Sequence, residues 1–370
     1  MEKVKLNELA DIYLGVTHTP EYVFEGVPFL SVKDISGGKI CLDDCKYISK
    51  EEYDSLSEGA KPKVGDMLFC RVGTLGKPII IPEGTPLFGS FVSLGYLRNR
   101  NSDRCDLNYL RYWMYSNSFW KQVNANVKGA SQVNLNTGWL SEFDIDLPGI
   151  AEQRYRISVL DKCKSVIEKR EAELAALDDL IKARFVEMFA NWKKKYLAEP
   201  LGEYLQDITY GFTNPMPDAE EGPWKITAKD VVNGIVNLDT ARKTLQESYD
   251  KLTEKSKPQL GDVLLTKDGT LGRTAVVEIG GMCVNQSVAV LRINEKILPK
   301  YLSILLQMPK YQRDMIADAG GGTIKHIYIT KVVKMPIVVP SIEEQNTFLD
   351  FVNQVDKSKV VKQKVRIKNN

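Results

Sequence analysis

Between Ala151 and Met188 the chain carries neither Pro nor Gly, and Leu160, Ile167, Leu174, Ile181 and Met188 recur every seven residues. Ile157, Leu177 and Phe185 widen the stripe, and Lys, Arg, Glu and Asp occupy the remaining faces. An apolar heptad with charged flanks is the pattern of a helix that pairs with another helix. At ~1.5 Å per residue, roughly 40 residues extend about 60 Å, far beyond an ordinary globular helix.

On either side of this segment the pattern changes to short apolar runs, and the runs occur twice. PFLSVKDI at 28–35 returns as WKITAKDV at 224–231. Tyr53-Asp54, Lys61-Pro62 and Gly65-Asp66 return as Tyr249-Asp250, Lys257-Pro258 and Gly261-Asp262, all 196 residues on. Gly73-Thr74-Leu75-Gly76 and Gly269-Thr270-Leu271-Gly272 keep that spacing. Later pairs lie 192 apart: Tyr109-Leu110 with Tyr301-Leu302, Gly129-Ala130-Ser131 with Gly321-Gly322-Thr323, and Pro148 and Gln153 with Pro340 and Gln345. One register held over so many positions identifies a tandem duplication.

Each copy opens on an amphipathic segment (LNELADI, LGEYLQDI) and a Gly-containing turn. Strand-like runs follow: VPFLSV, GDMLFCRVG, PIIIP and SLGYLR in the first copy, and WKITAK, GDVLLTKDG, TAVVEIG and VAVLRI in the second. Runs this short, bounded by Gly, Pro or Asp, read as a twisted sheet or partial barrel. A helical stretch comes next, at 106–126 and 298–319, then a small-residue loop and a closing strand, FDIDLPG or MPIVVPS. Pro148 and Pro340 precede the helix that ends each unit.

The expected architecture is therefore α/β (α+β): two duplicated globular domains separated by long helices that pair as an antiparallel coiled coil. The boundaries are 1–148 for the first domain, 149–195 for the central helix, 196–341 for the second domain and 342–370 for the distal helix. Helix pairing is assigned to Ile157, Leu160, Ile167, Leu174, Leu177, Ile181 and Phe185, and to Leu349, Val352 and Val355 of the distal helix. After Lys357 the apolar spacing gives way to VVKQKVRIKNN, so the distal helix is expected to be shortened, with its end a solvated basic tail.

Composition narrows the function. A net charge of +2 means that any nucleic-acid binding comes from local basic patches. No window approaches the ~18 apolar residues of a membrane helix, and MEKVKLNELADIYLG lacks the apolar core of a signal peptide. Six scattered Cys, one inside the long helix, suggest reduced thiols and a cytoplasmic protein with no membrane association.

Enzymatic motifs are missing. The two histidines, His18 and His326, lie in no HExxH or HxE pattern, and Cys41 and Cys45 have no second pair to complete a zinc site. RVGTLGKP at 71–78 has Arg71 and Pro78 where a phosphate loop requires Gly and Ser or Thr, so it reads as a tight turn between strands. Asn214-Pro215-Met216-Pro217 lacks the aromatic residue that a methyltransferase would stack on a flipped base. Aromatics in the first helical stretch have Leu305, Leu306 and Tyr311 as partners in the second, which favours core packing over base stacking.

The loop tips are different, because their residue types diverge while the frame repeats. Thr17 and His18 stand against Thr213 and Asn214, and Ser131, Gln132 and Asn134 against Thr323, Ile324 and His326, beside Lys325. Arg71, Thr74 and Lys77 bracket one glycine turn, and Lys267, Thr270 and Arg273 the other. Lys33 and Lys229 occupy matching turns. Such residues can read base edges, and neutral drift of exposed loops is the competing explanation.

Taken together, the duplicated domain, the junctions LPGIAEQ and VPSIEEQ and the central LDDLIKARFVEMF (177–189) resemble the specificity (S) subunit of a type I restriction–modification system, over nearly the whole chain. The resemblance implies that each domain reads one half of a bipartite double-stranded DNA target. It further implies that the helices dock two modification (methyltransferase) subunits, with restriction (motor-nuclease) subunits joining the full complex. The chain itself would then be non-catalytic and bind no cofactor or metal, with S-adenosylmethionine, ATP and Mg expected only on the partner subunits. An alternative is a truncated or silent copy that acts only as a protein-binding scaffold through its helices.

Overall fold

The structure, a computed structural model, describes residues 2–35, 38–126, 134–189, 197–317 and 326–367, the last eight as backbone. These divide into two compact units, Met1–Glu168 and Lys169–Asn370.

In the first unit, β1 (Glu2–Lys5) pairs with the closing strand and LNELADI forms only one helical turn, Leu6–Leu9. The chain then enters β2 (Ala10–Leu14), because Ala10 through Leu14 take partners on a neighbouring strand. With β3 (Met67–Cys70), β4 (Gly76–Ile80) and β5 (Leu94–Asn99) it makes an antiparallel sheet of order β2-β5-β3-β4. Met67 and Phe69 pack on one face against α1 (Leu107–Trp113) and α2 (Asn117–Asn126). Leu68 and Cys70 pack on the other, against Leu30, Ile35 and Phe88. A strand covered on both faces needs an unbroken apolar run, which is what MLFC supplies. Strand β6 (Asp144–Leu147) closes the unit against β1 and leads into α3 (Ile150–Phe189).

The second unit repeats this plan. Strand β7 (Glu199–Pro200) precedes β8 (Leu205–Tyr210), β9 (Val263–Thr266), β10 (Thr274–Val276) and β11 (Val288–Ile293), in sheet order β8-β11-β9-β10. Helices α4 (Pro299–Gln307) and α5 (Pro309–Ala317) cover one face, β12 (Pro336–Ile337) pairs with β7, and α6 (Ile342–Ile367) follows.

The duplication extends to individual hydrogen bonds. Arg98 grips Asp66 through Nε (3.0 Å) and Nη2 (2.7 Å), and Arg292 grips Asp262 at 3.2 and 2.9 Å. Such forked pairs fix both groups in direction. Gln153, fully buried, donates to the carbonyls of Arg104 and Pro148 and accepts from the Asp106 amide; Gln345 does the same with Lys296, Pro340 and Leu298. Each glutamine thus ties the first turn of a long helix to its own domain. Gly15 and Gly211 mark a shared close approach of backbone. A Cβ there would stand 2.2 Å from the Ser90 carbonyl oxygen and 1.7 Å from that of Val284.

Helix pairing is seen within the second unit. Phe348 packs edge-on against Phe185 (5.6 Å) and Phe189 (6.0 Å), while Lys359 Nζ reaches Asp178 at 2.6 Å. Residue numbers rise along α6 as they fall along α3, so the two run antiparallel. Ile181, Leu349, Val352 and Val355 are buried in this core, Leu177 and Phe185 pack against it, and Leu174 is half-buried. In the first unit Ile157 is buried, and Asp161 of α3 accepts from Arg111 Nη2 of α1 at 2.9 Å. Leu160 and Ile167, which continue the heptad, are 42% and 44% exposed. The α6 backbone stays helical to Ile367, past Lys357 where the apolar spacing fades. No helix among the described residues is long and apolar enough to cross a membrane.

Candidate nucleic-acid interface

Strand register gathers the divergent loops at one end of each sheet. In the first domain Leu14 pairs with Gly95, and Cys70 pairs with both Leu94 and Gly76. The chain leaving β2, the turn from β3 to β4 and the approach to β5 therefore share one edge. Val72 forms an isolated bridge to Asn134, which adds a fourth segment. The second domain repeats the arrangement through Tyr210–Ala289, Thr266–Val288, Leu265–Thr274 and the bridge Asp268–His326.

Positive φ at Gly73 (74°), Gly76 (78°), Gly269 (76°) and Gly272 (78°) makes the β3–β4 and β9–β10 turns possible. Lys77 shares the left-handed region at 49°, an uncommon place for a non-glycine residue. Thr17, His18, Thr74 and Asn134 are exposed at the first sheet end, and Thr213, Asn214, Thr270 and Arg273 at the second. His18 Nε2 lies 3.5 Å from Glu52 Oε1. Thr270 donates through Oγ1 to the Ala228 carbonyl at 3.2 Å, which ties its turn to the segment carrying Lys229. Among the described residues the Arg273 guanidinium has no partner.

Several of the basic candidates hold loops together. Arg71 donates from Nε to the Leu135 carbonyl (2.9 Å) and from Nη1 to that of Val92 (3.1 Å), and burial pushes its guanidinium below the usual value. Lys33 Nζ donates to the Asp44 carbonyl at 2.9 Å and Lys229 Nζ to the Thr240 carbonyl at 3.0 Å, the same bond in both copies. Lys267, only 7% exposed, donates to Asp268 at 3.0 Å and lies over the Tyr210 ring at 5.3 Å. The candidates Ser131, Gln132, Thr323 and Lys325 lie outside the described residues.

Residue-by-residue reading of the sequence missed Asp268, Tyr210 and Tyr328. Asp268 bonds His326 Nδ1, and the His326 ring meets Tyr328 edge-on at 5.0 Å. Its only signal was the change from Val72 to Asp268 between otherwise matching turns. Among the described residues no group of three or more His, Cys, Asp or Glu could hold a metal ion. What the two sheet ends present is hydrogen-bonding capacity on rigid frames, different in each copy.

Residues 214–369 match the family model described as type I restriction modification DNA specificity domain. The chain is 24% identical over 266 residues to the type I restriction enzyme EcoBI specificity subunit of Escherichia coli, covering 63% of this chain and 56% of that protein. It is also 24% identical over 188 residues to the MjaVIII specificity subunit of Methanocaldococcus jannaschii, covering 46% of this chain and 41% of that protein. The chain thus spans about half the length of the curated relatives it matches. Its fold is similar to the type I restriction–modification S subunit from M. genitalium, with TM-score 0.50 at 16% identity over 98% of this chain and 91% of that one. A chain from a structure of type I R-M complex assembly and conformational transition matches with TM-score 0.50 at 16% identity, over 100% of this chain and 93% of its own.

Proposed function

We propose, from the premise that this chain belongs to the family of type I restriction–modification specificity subunits, that it is the DNA-reading subunit of a modification and restriction complex. Each sheet end reads one half of a bipartite duplex target. The observation that carries this reading is the contrast between a frame whose sheet order and key hydrogen bonds recur in both copies and tips that differ in hydrogen-bonding type. A frame that holds one geometry while its tips vary is suited to presenting two different sets of donors and acceptors to base edges.

The chain carries out no chemistry of its own. Methyl transfer and cleavage, with S-adenosylmethionine, ATP and Mg2+, belong to the partner subunits. Two modification subunits dock on the helices α3 and α6, and motor-nuclease subunits join for restriction. Two similar domains suit two copies of one partner and two half-sites.

The test is the methylated motif in a methylation-free host that expresses the chain with its modification subunit. A two-part motif is expected. Replacing residues 196–341 with those of a relative should change one half of the motif and leave the other intact. A change in both halves, or in neither, overturns the modular reading. Loss of selective binding at moderate salt, with the modification subunit present, would also count against it.

A further inference from the structure

At the second sheet end, three ionisable side chains from two loops form a cluster with no counterpart in the first domain. Asp268 receives the Nδ1 hydrogen of His326 on one oxygen and the ammonium of Lys267 on the other, the latter at 3.0 Å. Partial burial works to raise the Asp268 carboxyl, but the bonds from His326 and Lys267 outweigh it and hold it below the usual range. Ionised Asp268 is an acceptor only, so Nδ1 of His326 is the donor. A ring bonded through Nδ1 is fixed in orientation and directs its other nitrogen elsewhere. Among the described residues, Nε2 of His326 has no hydrogen-bond partner. Tyr210 and Tyr328, 49% and 43% exposed, flank the cluster. The first domain has Val72 and Asn134 at the equivalent bridge.

We propose that His326 is a specificity-determining contact of the second domain and that Asp268 is its positioning residue. Resting on the DNA-reading function above, the assignment deepens it to one residue pair. In this assignment His326 bonds Asp268 through Nδ1 and donates from Nε2 to a base edge in the major groove, and the base that offers acceptors at both N7 and O6 is guanine. Asn134, at the matching place in the first domain, is suited instead to adenine, which offers the N7 acceptor beside the N6 donor. Lys267 is turned inward and neutralises Asp268, so the carboxylate is not left facing phosphates.

The experiment uses the full chain assembled with its modification subunit, mixed with a randomised duplex DNA pool, and sequencing of the retained duplexes. Three variants are compared with the parent: Asp268→Asn, His326→Gln, and the double exchange Asp268→Val with His326→Asn, which copies the first domain. The parent motif is expected to contain a guanine in the half read by the second domain. The single variants should lower preference for it by about tenfold, within the range of one base-edge contact. The double exchange should move the preference at that position from guanine towards adenine. The first half should not move, and in His326→Gln, which leaves the Lys267–Asp268 pair in place, the thermal midpoint should stay with the parent.

A parent half-site without guanine, or a motif unchanged in all variants, overturns the assignment while leaving the DNA-reading function in place. Uniform loss of affinity with unchanged base preference would mean a phosphate or purely structural role, and also overturns it. Failure of the parent complex to select any motif would overturn the function itself, and the assignment with it.

Discussion

In the first domain the sheet-end loops are closed by Arg71, whose forked guanidinium reaches two carbonyls directly, those of Leu135 and Val92. In the second the equivalent residue is Lys267, and its ammonium bonds Asp268, which in turn bonds His326. An ammonium has three rotatable donors but lacks the planar fork with which a guanidinium holds its acceptors in fixed directions, and Lys267 bonds Asp268 where Arg71 bonds carbonyls. Asp268 and His326 complete the closure and stand where the first domain has Val72 and Asn134. Three exchanges, Arg71 for Lys267, Val72 for Asp268 and Asn134 for His326, replace a tip closed by one guanidinium with a cluster of ionisable groups, while the strands beneath keep their register.

The largest test of that contrast concerns what the domains share. Gly211→Ala and Gly15→Ala each force a methyl group into a carbonyl oxygen, at 1.7 Å and 2.2 Å. Each should cost more than about 3 kcal/mol, with Gly211→Ala the worse. Thermal melting of the full chain, with limited proteolysis to show which domain opens, measures this. If Gly211→Ala melts with the parent, the backbone crossing is not a constraint common to both copies. Next in size, Gln153→Ala and Gln345→Ala each strand three backbone groups, one buried and two part-buried, and should cost about 2–4 kcal/mol by urea denaturation. Equal losses support equivalent latches, and a large inequality would show that the two helix junctions differ.

A smaller effect sharpens the difference between the tips. Arg71→Lys should give up one of the two carbonyl bonds and lose about 1 kcal/mol, seen as faster amide exchange near Leu135. No change would show that the fork is not what closes the first tip. The smallest effect leaves stability untouched. Burial pushes the Cys105 thiol up to about 12 and Cys283 up to about 11, whereas Cys41 and Cys163 are exposed. The thiolate is the reactive form. At pH about 8, alkylation followed by mass spectrometry should therefore mark Cys41 and Cys163 and spare Cys105 and Cys283. Labelling of Cys283 at the rate of Cys41 would mean that the second core opens more readily than the first.

The duplication was legible because the residues that repeat are those the frame cannot vary: glycines at close approaches, an aspartate in a fork, a buried glutamine. The strands were legible because runs such as MLFC face two cores. Lys33 and Lys229 repeat too, and each donates to a carbonyl eleven residues away while staying more than half exposed. Repetition marks a shared geometry, which here includes the loop's own closure. The Asp268–His326 contact was not legible, since it joins residues 58 apart in sequence and has no matching pair in the first copy. The heptad of α3 gave the helix but not its coverage. Leu177 through Phe189 meet α6 and α4, whereas Leu160 and Ile167 satisfy the same pattern in solvent. Spacing dictates which face is apolar and cannot dictate what arrives to bury it.

Gln153 and Gln345 hold their helices through main-chain atoms alone, the carbonyls of Arg104, Pro148, Lys296 and Pro340 and the amides of Asp106 and Leu298. Main-chain atoms are the same in every sequence. A genetic crossover just ahead of either glutamine therefore keeps these bonds whatever the incoming sequence, and only contacts further along the helices, such as Arg111 with Asp161 or Tyr301 with Phe185, depend on the incoming side chains. Sibling copies within one gene, or alleles from separate lineages, can trade at these two points with the latch intact, so whole domains can be exchanged without waiting for point mutations to rebuild that joint.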